Sequence, residues 1–497
     1  MALLVMFLSL LVMLLVVVFL LVFRTRRSFE FSRNAAMHSS SPKDTVTFGV
    51  FHPYANGGGG GERVLYCALL ALVRQFQKTE MTLQIILYTG NDGLLAKELL
   101  IRAANEFNLE ELKTLHVERY VTLVSLPNRE ILEPSRYRSF TLLWQSVAHI
   151  RLGLEAVQES SRQQLYPQVW VDTTGCPFSY VVASLLYACT VVAYVHYPMI
   201  STDMISKIQQ RDAGFNNDAA IAASASRSTG KYIYYRLFAL AYSLVGRYCT
   251  DVVMVNSTWT YNHIKQLWGK TPTIVYPPCG AMREYVDFDL DDREPIALSV
   301  SQFRPEKNQF LQLEAFHVLL TKHAEQMKTK YHDFRLVLLG SCRNTDDEAR
   351  VETLKEQAEA LGIAHRVDFV VNASFAELKR YLAKSSIGIH TMYNEHFGIS
   401  NVEMMAAGML IVANNSGGPK ADIVKPKTGC LALTAEEYAS KMLSLLEKSR
   451  TESIAMRSTA RKSSSRFSDD EFGRQFLAAM SGVIVPLVGG STHVKSA

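Results

Sequence analysis

Asn394-Glu395-His396-Phe397-Gly398-Ile399-Ser400-Asn401-Val402-Glu403, followed by Met404-Met405-Ala406-Ala407-Gly408, is the stretch whose reading decides the fold. Ahead of it, the apolar run Ile387-Gly388-Ile389-His390 predicts a buried strand. Behind it, Ile399 to Ala407 predicts a helix closed by Gly408. Gly398 therefore falls at a strand-to-helix turn. There the first free N–H groups of the helix favour an anion, and the missing Cβ lets a ligand approach the backbone. Glu395 stands on the loop and Glu403, eight residues on, about a turn into the helix. Two carboxylates so placed can meet two parts of an extended ligand such as a nucleotide sugar. The plainer alternative is that Glu395 caps the helix and Glu403 is solvated.

The stretch belongs to a βα alternation. Pro295–Gln302, Phe334–Leu339, Arg366–Val371, Ser386–Thr391, Met409–Ala413 and Gly429–Leu433 read as strands, with helices such as Asp346–Leu361 and Phe375–Lys384 between them. Arg304-Pro305-Glu306-Lys307-Asn308 follows the first of these strands. A cation on each side of a turn at a strand's carboxyl end suits a diphosphate. Asn415-Ser416-Gly417-Gly418-Pro419 predicts another glycine turn before a helix. Ala281 to Glu294 is acidic and reads as a linker. Its Asp287-Phe288-Asp289 matches a short metal-binding pattern too weak to carry a site. Residues 468–488 predict a closing helix and residues 489–497 a disordered tail.

The first half repeats the pattern. Thr45–Phe51 predicts a strand, Glu62–Phe76 a helix and Thr82–Tyr88 a second strand, with His52-Pro53-Tyr54-Ala55-Asn56 and five glycines at the first turn. The glycine run lacks the last glycine of the dinucleotide fingerprint and the Gly-Lys-Ser/Thr end of a P-loop. Its position still favours contact with a phosphate or sugar. Further strands are expected at Gln168–Val171, Thr190–Tyr197, Asp251–Asn256 and Thr273–Tyr276. Their carboxyl ends would line a binding crevice, which places His196 beside a ligand; a structural histidine is the alternative. Phe178–Val195 splits into helix plus strand. Ala219–Thr229 reads as a loop. Lys231–Cys249, rich in Tyr, Leu and Phe, fits either a core helix or a helix in a membrane interface.

Ala2 to Phe23 carries no charge. Its twenty-two residues would span roughly 33 Å, enough for one bilayer crossing. No basic residue precedes it, whereas Arg24, Arg26 and Arg27 follow it. That is the pattern of a retained anchor with its flank in the cytosol. Residues 28–44 read as a tether. With 497 residues the chain has room for two or three domains, and a net charge of +5 carries no nucleic-acid signature. The seven scattered cysteines form no C-x-x-C pair and read as core residues in a reduced compartment. Sequons start at Asn256, Asn372 and Asn414, two of them directly after expected core strands, where a glycan would disrupt packing.

Two doubly wound halves, a glycine loop in the first and a Glu-x7-Glu in the second resemble the retaining GT-B glycosyltransferases of family four. Glu395–Glu403 matches that family's donor motif, and Arg304 with Lys307 its diphosphate clamp. More closely, His52-Pro53-Tyr54 leading into the glycines and Glu62-Arg63-Val64-Leu65, with His196-Tyr197-Pro198, Asn256-Ser257-Thr258-Trp259 and Val275-Tyr276-Pro277-Pro278-Cys279, resembles the dolichol-pathway α-1,2-mannosyltransferases of asparagine-linked glycosylation. The resemblance implies a GDP-mannose donor and a trimannosyl-chitobiosyl-diphospho-dolichol acceptor extended by two mannoses. It also implies the cytosolic face of the endoplasmic reticulum membrane, association with other mannosyltransferases of the pathway, no nucleic acid, and no obligatory metal or other cofactor.

In this reading Glu403 holds the ribose and Glu395 the donor mannose. Gly57, Gly58, Gly59, Gly60 and Gly61, with Gly398, Ile399 and Ser400, approach diphosphate and sugar. Arg304 and Lys307 neutralise the leaving GDP, and His196 helps hold or polarise the sugar. No covalent nucleophile is evident, so same-face attack with proton transfer to the departing phosphate is expected. The expected architecture is one N-terminal transmembrane helix (residues 1–27 with its basic flank) and two Rossmann-like domains facing a cleft, 45–280 on the acceptor side and 295–467 for the nucleotide sugar, joined by 281–294. A UDP-N-acetylglucosamine-dependent transferase acting on phosphatidylinositol shares these features. A catalytically inactive, membrane-anchored nucleotide-sugar-binding subunit is the alternative outside enzymes, and the intact polar elements of the donor motif argue against it.

Overall fold

The computed structural model describes residues 20–35, 45–90, 93–210 and 225–488. The chain forms two compact units. The first takes in the described residues up to Val255, then Thr260–Val275 and the residues from Gly473; the second takes in Asn256–Trp259 and Tyr276–Phe472.

The first unit is built on β1 (Thr45–Phe51), β2 (Thr82–Thr89), β3 (Val121–Ser125), β4 (Val169–Asp172), β5 (Thr190–Val195), β6 (Val252–Val255) and β7 (Thr273–Ile274). The strands lie in the order β3-β2-β1-β4-β5-β6-β7, every pair parallel. All seven residues of β1 are buried, the mark of a strand covered on both faces. The order reverses between β1 and β4. The loops after these two strands therefore leave in opposite directions and open a crevice at the carboxyl edge. The loop after β1 runs through the glycines into the helix Gly60–Phe76.

The second unit repeats the plan with β8 (Glu294–Val300), β9 (Arg335–Gly340), β10 (Val367–Val371), β11 (Ser385–His390), β12 (Leu410–Asn414) and β13 (Gly429–Ala432). The order is β10-β9-β8-β11-β12-β13, again all parallel. Here the reversal falls between β8 and β11. The loop after β8 is the Arg304–Asn308 turn, and the loop after β11 is the stretch that opens the sequence reading. Two doubly wound α/β units are thus as expected.

Several segments differ from expectation. The apolar segment Ala2–Phe23 lies outside the described residues except for 20–23, which begin a helix running to residue 35. Among the described residues no helix is long and apolar enough to cross a membrane. The first part of the expected tether is folded: Phe29 is buried, with its ring edge-on to Tyr166 and Tyr187 at 5.4 and 4.5 Å. Arg33 also donates to the Ala188 carbonyl. The rest of the tether, 36–44, and the tail 489–497 lie outside the described residues. The expected linker is part of the second unit. It starts with the helix Ala281–Tyr285, and buried Arg457 and half-buried Arg461 donate to the carbonyls of Leu290, Val286 and Phe288. Of the expected loop Ala219–Thr229, the described part from Ala225 is helical and opens the long helix Ala225–Tyr248. The closing helix is two helices, Asp469–Ala479 and Ser481–Val488.

Candidate active site

In the second unit the site grows out of the β8/β11 reversal. Pro305–Lys307 forms one 3-10 turn, ended by Asn308 at φ 50°. Thr391, just past β11, sets its hydroxyl 2.9 and 3.0 Å from the carbonyl oxygens of Lys307 and Asn308 and accepts from Gln312 Nε2 at 2.9 Å. The two loops are thus tied together, and the tie aims Lys307. Its Nζ donates to Glu395 Oε2 at 2.6 Å, and His390 Nε2 lies 3.4 Å from the same oxygen. Burial of Glu395 opposes its ionisation. His390 and Lys307 outweigh that and hold the carboxyl well below the usual carboxylate range.

The loop is braced from behind. Asn394 N–H donates to Ser416 Oγ at 2.7 Å, Ser416 Oγ to Asn414 Oδ1 at 2.6 Å, and Gly418 N–H to the Glu395 carbonyl at 2.7 Å. A Cβ on Gly418 would come 2.5 Å from the Phe397 carbonyl oxygen, and one on Gly417 would strike that of Glu395. These glycines allow backbone to lie on backbone. Gly398 has φ 101° and is the N-cap of the helix Ile399–Ala406, so it sets where that helix begins. Glu395 is therefore not the cap: it is buried in an ion pair. Glu403 sits a turn into the helix and is half-buried. Arg304 is held by Glu306, Nε to Oε1 at 2.6 Å. Lys307 and Glu395, expected to serve different parts of the ligand, meet each other, and Arg304 is paired within its own turn.

The first unit builds its cluster at the β1/β4 reversal. Asp172, fully buried, accepts from Thr174 N–H at 2.9 Å, Cys176 N–H at 2.7 Å and the Tyr180 hydroxyl at 2.5 Å. That fixes the loop carrying Thr173. The Thr173 hydroxyl meets His52 Nδ1 at 2.7 Å, and its carbonyl accepts from His196 Nε2 at 3.0 Å. A carbonyl only accepts, so His196 Nε2 carries the proton and Nδ1 is left as an acceptor. Burial pushes the His196 pKa down, which favours that neutral form. The far nitrogen of His52 lies 3.4 Å from Glu62 Oε1, while Glu62 Oε2 accepts from Gly59 N–H at 2.7 Å. Burial would raise the Glu62 pKa, but His52 and the backbone donors bring it below the ordinary value.

The glycines Gly57–Gly61 have no positive φ. They serve close approach instead: a Cβ on Gly58 would strike the Glu106 carboxylate, and one on Gly59 would come 2.8 Å from Glu62 Oε2.

A family model described as ALG11 mannosyltransferase N-terminus matches residues 45–268, and one described as Glycosyl transferases group 1 matches residues 283–463. A curated relative from Mus musculus, named GDP-Man:Man(3)GlcNAc(2)-PP-Dol alpha-1,2-mannosyltransferase, is 44% identical over 467 residues, covering 92% of this chain and 89% of that protein. The Homo sapiens protein of the same name is 44% identical over 452 residues, covering 89% and 88%. The chain belongs to this family of alpha-1,2-mannosyltransferases. A solved structure of Anabaena Alr3699/HepE with UDP and glucose aligns at a TM-score of 0.58 and 15% identity, covering 88% of this chain and 100% of that one. That likeness concerns the fold alone: the two parallel-sheet units resemble those of GT-B glycosyltransferases.

Other motifs of this mannosyltransferase take structural roles. Thr258 donates to both oxygens of Asp422, from its N–H at 2.9 Å and its hydroxyl at 2.5 Å, and the Tyr276 hydroxyl donates at 3.0 Å. Buried Asp422 thereby ties together one residue of each of the Asn256–Trp259 and Val275–Cys279 motifs, and sequence reasoning passed it over. Asp289 Oδ1 accepts from the N–H groups of Asp291 and Asp292 at 2.7 and 3.3 Å, a local turn. Among the described residues no three His, Cys, Asp or Glu side chains are grouped as metal ligands. All seven cysteines are free, five of them buried. Asn256 and Asn414 are buried.

Proposed function

We propose that this chain transfers mannose from GDP-mannose, with retention, to form α-1,2 linkages on trimannosyl-chitobiosyl-diphospho-dolichol in two sequential additions. Membership of the family supports the reaction. The observation that carries its placement is the Lys307–Glu395–His390 cluster at the β8/β11 reversal. Residues 295–467 are assigned to the nucleotide sugar and 45–280 to the acceptor side. Glu395 holds the hydroxyls of the donor mannose. Lys307, preset by that carboxylate, faces the leaving diphosphate together with Arg304 and the helix N-terminus at Gly398–Ser400, and the glycines 57–61 are the first unit's own contact for a phosphate or sugar. Fixed charge at the point where negative charge grows needs no reorganisation during reaction. Glu403 holds the ribose. His196 offers its unprotonated Nδ1 to a sugar hydroxyl. The departing phosphate takes the acceptor's proton on the face it leaves, and the two cations make a metal dispensable.

An anchor at Ala2–Phe23 with the enzyme on the cytosolic face of the endoplasmic reticulum, beside other mannosyltransferases, completes the reading. The arginines that follow that segment and the buried sequon asparagines support it. Incubating the full chain with GDP-mannose and a synthetic trimannosyl lipid tests the reaction: mass analysis should find two added hexoses, in excess chelator as well. UDP-N-acetylglucosamine should give none. Transfer from the UDP-sugar instead, or complete loss with chelator restored by manganese, would contradict it.

A further inference from the structure

Buried polar atoms without a hydrogen-bond partner cost free energy and are few in folded proteins, so a cluster of them calls for an explanation. Among the described residues, fourteen buried side-chain nitrogen and oxygen atoms have no such partner, and seven of them stand at the β8/β11 reversal, on Glu306, Gln309, Gln312, His390 and Asn401. Asn401 is the extreme case. It is fully buried, and both the oxygen and the nitrogen of its amide go without a partner. It lies in the first turn of the helix Ile399–Ala406, where its own N–H donates to the Gly398 carbonyl at 3.0 Å.

The amide is aimed at the loop that carries Glu395. The Cβ that Gly398 lacks would lie 2.8 Å from Asn401 Nδ2 and 3.3 Å from Glu395 Cγ. The two side chains therefore stand on either side of one point beside the Gly398 Cα, and any side chain at 398 would wedge them apart. Lys307 and His390 both address Oε2 of Glu395, and Oε1 receives no hydrogen bond from the described residues. An amide with an idle donor thus stands across from a carboxylate with an idle acceptor.

Two groups compete for Lys307. It is paired with Glu395 at 2.6 Å, yet a diphosphate carries more negative charge than one carboxylate and draws the ammonium toward itself. Glu395 is buried. A buried carboxylate that loses its cation needs other donors to keep its charge and its aim. An amide N–H on a packed helix supplies one.

We propose that Asn401 is a positioning residue of the donor site: as a nucleoside diphosphate draws Lys307 off Glu395, the Asn401 amide takes up Glu395 Oε1 and leaves Oε2 for the hydroxyls of the donor sugar. The proposal rests on the reading of Lys307 as the cation of the diphosphate and of Glu395 as the carboxylate of the sugar.

Calorimetric titration of GDP into the full chain tests this without any transfer step. Asn401→Leu keeps the volume and removes both polar atoms. It should melt no lower than wild type, since an unpaired amide leaves the interior. It should bind GDP on the order of 10–100-fold more weakly, the worth of one hydrogen bond to a charged group. In the Glu395→Gln background the same substitution should change GDP affinity little, because Asn401 acts through that charge. Unchanged GDP affinity in Asn401→Leu would overturn the proposal. So would an equal loss in both backgrounds, the mark of a disturbed helix N-terminus. If Asn401→Leu fails to fold, Asn401→Ala carries the same comparison. Mannose transfer by the wild-type chain, measured separately, scores the donor reading. Should UDP bind wild type in place of GDP, the donor reading falls, and the same titrations run with UDP decide the role of Asn401. Binding of neither nucleotide overturns both.

Discussion

At the β1/β4 reversal of the first unit stand two histidines, a threonine and a glutamate; at the β8/β11 reversal of the second stand a lysine, a glutamate and a histidine. The topology is the same and the chemistry differs. In the first unit the protonation of His196 is fixed by a carbonyl, and its ring is kept neutral by burial. In the second a buried carboxylate is kept charged by His390 and by the Lys307 ammonium group 2.6 Å away. A doubly wound sheet supplies a crevice, and the residues on the two reversing loops decide whether it holds fixed charge or neutral hydrogen-bonding groups. Developing negative charge calls for the first kind, the fixed charge of the second unit.

The sharpest way to break this contrast is to remove the ammonium. Lys307→Ala should lower turnover about 10²–10³-fold, the usual cost of deleting one preorganised group facing developing charge. It also leaves Glu395 buried without its cation, so the melting temperature should fall. Adding Glu395→Gln should recover stability and leave turnover low, because the two effects have different causes. Wild-type turnover in Lys307→Ala would mean that the pair is only a structural tie.

Next in size is Glu403→Gln. Hydrogen bonds to charged groups are worth about 1.5–3 kcal/mol. If Glu403 holds the ribose, its loss removes binding shared by ground and transition states, so KM for GDP-mannose should rise and GDP itself bind more weakly. Glu395→Gln should chiefly lower kcat and leave GDP affinity nearly unchanged, since GDP has no sugar to lose contact with. Calorimetric titration of GDP into both variants checks this, and equal GDP affinity in wild type and Glu403→Gln would remove the ribose assignment.

Acid should separate the two units. His149 is pushed down to about 3 by burial, and burial also lowers His196 and His263. All three lie in the first unit. A depressed folded pKa means that the unfolded chain binds protons first. The stability these groups contribute is complete above about pH 6.5 and is lost as pH falls toward their folded values, for His149 at about 1.4 kcal/mol per unit. The depressed carboxyl of Glu395 acts only lower, below the ordinary carboxylate pKa of about 4.3. Hydrogen exchange near pH 5 should therefore loosen peptides around His149 and β5 while those around β11 and β12 stay protected. Uniform loss across both units would break the comparison.

Much of this architecture was legible in the sequence because parallel strands buried on both faces read as uninterrupted apolar runs. β1 and the helix Phe375–Lys384 fall within the bounds read from sequence. β3 was not foreseen, since Val121–Ser125 is short and only two of its residues are buried. The glutamates and Gly398 were singled out from their spacing, and the cations from their place at a strand's carboxyl end. The Lys307–Glu395 pair was not, because 88 residues separate the partners and only the adjacency of β8 and β11 joins them. His390 was hidden at the end of a run that read as plain core. Asp172 and Asp422 were not singled out, because nothing in their sequence neighbours reveals how many donors converge on them.

The smallest expected effect is at Glu62, and it tests the other side of the comparison. Gly59 is the N-cap of the helix Gly60–Phe76 and has no side chain to offer, so Glu62 reaches back to its N–H and takes over that task. Glutamine can do the same, because a capping box needs an acceptor and not a charge. Glu62→Gln should therefore cost only a few tenths of a kcal/mol, and Glu62→Ala about 1 kcal/mol. In the second unit the equivalent amide, Glu395→Gln, removes the charge that balances Lys307 and should cost more than either. Thermal melts of the three variants rank them. If Glu62→Gln proves as damaging as Glu395→Gln, the Glu62–His52 contact at 3.4 Å is a true ion pair, and the first unit too is built around fixed charge.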